Sequence, residues 1–192
     1  MTTVTQTVIR DLAAIERLAE LPRLVRLCAA CTATELNVSA LASDFGVPNR
    51  SSKIVRRPKL VMADSGLAAH LIGADRSALD GPDGRLGPLF ETFVVNEIRK
   101  QTTWSEHRPS MWHFRDRGGA EVDLVLEHPD GRIVALEVKA TSTPRTSDLS
   151  GLRFLSDRLG ERFHFGVLLS AAPEATPFGP RMAALPVSAI WS

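Results

Sequence analysis

Three acidic residues and one lysine in the second half of the chain have the types and spacing to hold a hard divalent cation. Asp123 lies in AEVDLVLE, and Glu137 and Lys139 lie in ALEVK. Residues 120–139 read as a β-hairpin. A three-residue loop of Pro129, Asp130 and Gly131, with glycine in the left-handed position, pairs Asp123 with Glu137, Val125 with Ala135 and Glu121 with Lys139. A two-residue Asp-Gly turn would slip the register by one and turn Asp123 to the opposite face from Glu137. On the three-residue register two carboxylates face each other across the strands, an arrangement that repels. A cation is therefore expected between them.

The same register puts Val125, Ile133 and Ala135 on one face near the turn, with Glu121, Asp123, Glu137 and Lys139 at its open end. Val122, Leu124, Leu126, Val134, Leu136 and Val138 form the other face. One face is wholly apolar and the other only half charged, so both are expected to be covered, with the charges gathered at one end. The bland alternative is a surface hairpin with a Glu121–Lys139 ion pair worth under ~1 kcal/mol.

A third carboxylate comes from a helix expected over Pro88 to about Gln101. Glu91 shares a face there with Val94, Val95 and Ile98, at helical offsets of three, four and seven. In the first turn it could also simply complement the helix dipole. With Asp123 and Glu137 it makes three hard oxygen ligands, which suit Mg²⁺ or Mn²⁺ better than zinc. Lys139, one pleat from Glu137, places an ammonium beside such an ion.

The elements that must position these groups follow from patterning. From residue 88 onward the order is helix, strand (Met111 to Arg115), the two hairpin strands, a helix capped by Thr146 or Ser147 and ending at Leu159, and an apolar strand from Phe163 to Leu169. That order implies an α/β fold with a small mixed sheet flanked by helices. Upstream, residues 8–20 and 22–33 read as helices, and Ser39 to Gly46 as the first half of a helix-turn-helix. The recognition helix that should follow is missing, because NRSSKIVRRP has no helical stripe and ends in proline. Arg50, Lys53, Arg56 and Arg57 form either a solvated basic linker or a phosphate contact. A short strand is expected over Lys59 to Ala63, then a helix capped by Asp64 or Ser65. Residues 73–87 contain four glycines and a proline, the best boundary in the chain. The expected division is a helical segment over 1–73 with an incomplete winged-helix connector, a linker over 74–87, and the site-bearing domain over 88–192.

Composition narrows the function classes. The chain has 192 residues, 44% hydrophobic and 23% charged, enough for one ordinary core or two small ones. Lys and Arg total 23 against 22 Asp and Glu, so nucleic-acid contact would have to come from local patches. No apolar run is long enough for a membrane span and the N-terminus lacks a signal-peptide pattern, so a cytoplasmic protein without membrane contact is expected. Cys28 and Cys31 alone cannot complete a zinc site. They read as small helix residues, with a redox pair as the alternative. No nucleophile elbow occurs, and no Gly-Lys-Ser/Thr phosphate loop, so the chain has no ATP site of its own.

An acid on a helix followed by Asp and then Glu-x-Lys on successive strands, in the order αβββαβ, resembles the restriction-endonuclease-like PD-(D/E)xK nuclease fold. The stretches PKLVMADSGLAAHLIG, GPLFETFVVNEI, FRDRGGAEVDLVLE and ALEVKAT further resemble the C-terminal domain of unknown function, DUF4143, found behind the AAA-type ATPase core in bacterial ATP-binding proteins. The segment containing VIRDLAAI resembles the winged-helix connector to that domain; the ATPase core is absent. The resemblance implies that Asp123 and Glu137 hold Mg²⁺ or Mn²⁺, that Glu91 adds a ligand or orients a metal-bound water, and that Lys139 positions the attacking water or offsets transition-state charge. Phosphodiester hydrolysis on DNA would follow, with Ser142 and Arg145 touching phosphate and an ATPase encoded elsewhere as a partner in trans. The alternative is a catalytically silent domain that binds DNA or partners an ATPase.

Overall fold

A computed structural model describes residues 21–37, 58–79 and 85–192. The first expected helix, the half helix-turn-helix and the basic run Arg50 to Arg57 lie outside the described residues. In chain order the elements are α1 (Leu21–Ala30), β1 (Thr34–Glu35), β2 (Lys59–Leu60), α2 (Ser65–Leu71), the single turn α3 (Arg76–Leu79) and α4 (Leu86–Trp104). They continue with β3 (Ser110–Arg115), β4 (Glu121–Glu127), β5 (Ile133–Lys139), a 3₁₀ turn (Thr146–Leu149), α5 (Ser150–Leu159), β6 (Phe163–Ser170), β7 (Thr176–Pro177) and β8 (Met182–Pro186). The fold is α/β: a six-stranded mixed sheet in the order β3-β4-β5-β6-β8-β7, with helices packed on both faces.

The hairpin sets the register of the sheet. Gly131 takes the left-handed conformation at φ +88°, a value that costs a residue with a side chain. His128 N donates to Arg132 O at 2.9 Å, and Gly131 N to His128 O at 2.8 Å, closing the three-residue loop. Val125 accordingly pairs with Ala135 and Leu124 with Leu136. Beyond that last pair the β4–β5 ladder ends, and the two strands part at Asp123 and Glu137.

A β5–α5–β6 crossover turns the sheet from antiparallel to parallel, and β8 adds a further parallel strand on β6. Helix α5 covers one face through Leu152 and Leu155, which pack with Val122, Val125, Ile133, Ala135, Phe163 and Leu168. Burying each such side chain contributes about 1.5–3 kcal/mol. At its start α5 runs almost onto β4: a Cβ added to Gly151 would stand 1.9 Å from the Glu121 carbonyl oxygen, so only glycine permits this approach. Helix α4 covers the other face, where Val94 and Ile98 meet Leu124, Leu136, Val138 and Leu169.

One expectation about the faces is corrected. Strict alternation puts Val122 beside Leu124, but Val122 packs with Val125 on the α5 side while Leu124 packs on the α4 side. The cause is a bulge. The β3–β4 register shifts between Trp112↔Val125 and Phe114↔Val122, which leaves two residues of β4, Asp123 and Leu124, opposite His113. An extra residue breaks strict alternation and lets two successive side chains lean toward one layer.

The segment before α4 packs on it closely. Ala29 and Ala68 join Leu89 in a small core that also takes in Met62 and Leu79. Beside it, the Thr32 and Thr92 hydroxyls lie 2.8 Å apart, Met62 N donates to Thr32 Oγ1 at 3.0 Å, and Asn96 Nδ2 donates to Met62 O at 2.7 Å. These contacts pin the chain just after β2 along α4. The stretch read as a linker supplies α3 and the Arg85 Nη1 to Ile72 O bond of 3.0 Å.

Candidate functional site

Where β4 and β5 part, four carboxylates and two ammonium groups gather. Helix α4 begins two residues before the expected Pro88, so Glu91 sits in its second turn. Complementing the dipole, an effect confined to the first turn, therefore does not account for it. Its face is the expected one: Val94, Val95 and Ile98 are all buried, and Glu91 borders them. Lys59, at the start of β2, reaches over that border and ion-pairs with Glu91 Oε1. The same ammonium lies 3.0 Å from Asp123 Oδ1 and 3.4 Å from Glu121 Oε1, with only 6% of its side chain exposed.

Asp123 occupies the gap between the strands. Its second oxygen, Oδ2, accepts a hydrogen bond of 3.0 Å from Val138 N, an amide beyond the last β4–β5 ladder pair. The carboxylate thus replaces a backbone partner, which matters because a buried amide without one is costly. Glu137 is nine-tenths buried and lies close enough to Asp123 for that charge to act on it. Its Oε1 pairs with Lys139 Nζ at 2.9 Å, and its buried Oε2 has no hydrogen-bond partner among the described residues. Lys139 is 44% exposed, so this ammonium faces solvent at the rim.

The electrostatics follow from burial and from Asp123. Burial, then the Asp123 charge, push the Glu137 carboxyl up to about 7, and the Lys139 ammonium only partly opposes this. Burial and Asp123 also push Glu91 up to about 7 against the pull of Lys59. Burial alone would depress the Lys59 ammonium, but the Asp123 and Glu91 carboxylates outweigh it and hold Lys59 above the ordinary lysine range. For Lys139, burial is likewise outweighed, by Glu137 first and then by Asp123 and Asp148.

Lys59 belongs to the site although the sequence pattern does not place it there, and Glu121, expected at the charged end of the hairpin, has partners other than the expected one. The hairpin register would pair Glu121 with Lys139. It pairs instead with Lys59 and, at 3.3 Å, with Arg115 Nη1, because β4 and β5 separate before that cross-strand position. Nothing local distinguishes Lys59 from the other cations of KIVRRPK. Ser142 and Arg145 lie exposed just past β5. Arg145 N donates to Asp148 Oδ2 at 2.8 Å, so Arg145 starts the 3₁₀ turn that leads into α5, rather than Thr146 or Ser147.

The donor set suits a hard cation, being all carboxylate oxygen with Glu137 Oε2 left open. The space is contested. Among the described residues no three His, Cys, Asp or Glu side chains form a ready metal-ligand group, and the pocket between Glu91 and Asp123 holds the Lys59 ammonium. A groove of about 1040 Å³ along the edge strand β3 leads to Lys59 and Asp123. Its charged lining is balanced in sign, with Lys59, Arg115 and Arg117 against Glu35, Asp116 and Asp123. Cys28 and Cys31 carry free thiols and are half-buried. No helix among the described residues is long and apolar enough to cross a membrane.

Comparison with known proteins gives a family and no activity. The chain is 34% identical over 93 residues to the uncharacterized proteins Rv2008c of Mycobacterium tuberculosis and Mb2031c of Mycobacterium bovis. That stretch is 48% of this chain and 20% of each relative, so the match spans about one fifth of their length. No solved structure matches. The model of a domain of unknown function, DUF4143, matches residues 86–190, a span that includes Glu91, Glu121, Asp123, Glu137 and Lys139 but not Lys59. With more than half of its residues inside that match, the chain belongs to the DUF4143 family.

Proposed function

We propose that this chain is a PD-(D/E)xK-type nuclease-like domain acting on DNA phosphodiesters. The observation that carries the reading is the parting of β4 and β5 around Asp123, with Glu137 and Lys139 on the adjacent strand and Glu91 on the covering helix. Asp123 and Glu137 would hold Mg²⁺ or Mn²⁺, and Glu91 would join them once its pairing with Lys59 is released. Such an ion, when bound, activates water and offsets charge on the departing oxyanion. The protein's own contribution is positional. Asp123 is fixed by the Val138 amide, and Glu137 by burial and by Lys139. The Lys139 ammonium is exposed enough to meet a phosphate or orient a water, and Glu137 keeps it protonated. Exposed Ser142 and Arg145 lie next along the chain, where a bound backbone would pass.

A second reading has its own observation. The Lys59 ammonium already neutralises Glu91 and Asp123, as it would in a catalytically silent domain that binds DNA or an ATPase encoded elsewhere. Incubation with supercoiled and linear DNA plus Mg²⁺ or Mn²⁺ separates the two. The nuclease reading expects nicking that is lost in Lys139→Ala. No nicking by the unaltered chain at saturating metal, or equal nicking by both forms, refutes it in favour of the silent domain.

A further inference from the structure

Lys59 sits where the acids would hold an ion. It arrives from outside the segment that the family model matches, on the two-residue strand β2, and the bonds among Thr32, Met62 and Asn96 fix the chain beside it. Its ammonium touches Glu91, Asp123 and Glu121, and its side chain is almost wholly buried. On β5 the Glu137 Oε2 oxygen is buried and lacks a partner among the described residues. Three carboxylates therefore share one internal cation, while a fourth, on β5, keeps an open acceptor.

We propose that Lys59 is an autoinhibitory internal counter-ion: its ammonium occupies the acid pocket, and a divalent ion binds there only by displacing it. The inference rests on the metal-site reading above and adds its regulation. The Lys59 ammonium occupies the Glu91 and Asp123 oxygens that an ion would need, so metal binding and Lys59 docking oppose each other by linkage. The route of release is the solvent-open groove along β3, which Lys59 lines together with Arg115 and Asp123. Whatever moves β2 off α4 would open the site. The upstream segment thus becomes a control element for chemistry held in residues 86–190.

Mn²⁺ titration calorimetry on the full chain tests this, with unaltered protein, Lys59→Gln and Lys59→Arg compared. Lys59→Gln, which keeps a polar side chain but removes the charge, is expected to bind Mn²⁺ about ten-fold or more tightly than the unaltered chain, and Lys59→Arg to bind no more tightly than the unaltered chain. A second measurement needs no variant. Saturating Mn²⁺ is expected to speed reductive methylation of the Lys59 amine several-fold, read by peptide mass spectrometry against the exposed Lys100 as an internal control. Equal Mn²⁺ affinity in unaltered and Lys59→Gln protein, or Lys59 labelling unchanged by a metal that binds, overturns the counter-ion role and leaves the metal site standing. Absence of Mn²⁺ binding in every form overturns the metal-site reading and this inference with it.

Discussion

Replacing Glu137 by glutamine tests the electrostatics of the site without touching Lys59. Burial and Asp123 hold the Glu137 carboxyl at about 7 in the folded protein, against 4.5 as its ordinary value. Between those values the folded state binds a proton that the unfolded chain has released, so stability must fall as pH rises. The contribution is fully present below about 4.5 and is lost as pH passes through about 7. At about 1.4 kcal/mol per pH unit, that interval corresponds to roughly 3 kcal/mol lost by pH 8. Glu91 behaves in the same sense, so the unaltered protein carries two such groups. The substituted amide has no charge to bury, and the value of about 7 already contains the opposing pull of the Lys139 ammonium, so that ion pair is not subtracted again. In urea unfolding in metal-free buffer, Glu137→Gln is expected to lie within about 1 kcal/mol of the unaltered protein at pH 5 and to exceed it by roughly 3 kcal/mol at pH 8. Its stability should still decline with pH through Glu91, but about half as steeply. Parallel declines in the two proteins, or a variant weaker at pH 8, would refute the account of a charge buried beside Asp123.

Two further substitutions test the scaffold. Gly151→Ala drives a Cβ onto the Glu121 carbonyl, and because that obstacle is backbone it is expected to cost about 3 kcal/mol or more in denaturant melts. An unchanged midpoint would show that α5 does not seat so closely on β4. Gly131→Ala places a side chain at φ +88° and is expected to cost about 1–2 kcal/mol while leaving the sheet register intact. Backbone amide shifts that move throughout β4 and β5, rather than at the turn alone, would contradict that.

Features that depend on neighbours a few residues apart were legible in the residue pattern. The Pro129–Asp130–Gly131 loop fixed the pairing of Val125 with Ala135, because turn length and a glycine in the left-handed region leave one register. Helical periodicity put Glu91 on the same face as Val94 and Ile98, and the alternation of β5 put Leu136 and Val138 against α4. Strand β8 was not legible: MAALP is short, has no marked β-branched content, and is held by parallel pairing with β6, a contact that no local pattern announces. Tertiary structure alone decided how the charges are shared. A bulge opposite His113 moved Val122 to the other layer and brought Asp123 toward α4, and the parting of β4 from β5 separated Glu121 from Lys139. The cation beside Asp123 and Glu91 is Lys59, 64 residues before Asp123, and only the packing of β2 along α4 carries it there. A carboxylate's partner is set by which ammonium is nearest in space, and over such separations that distance is a property of the packed chain.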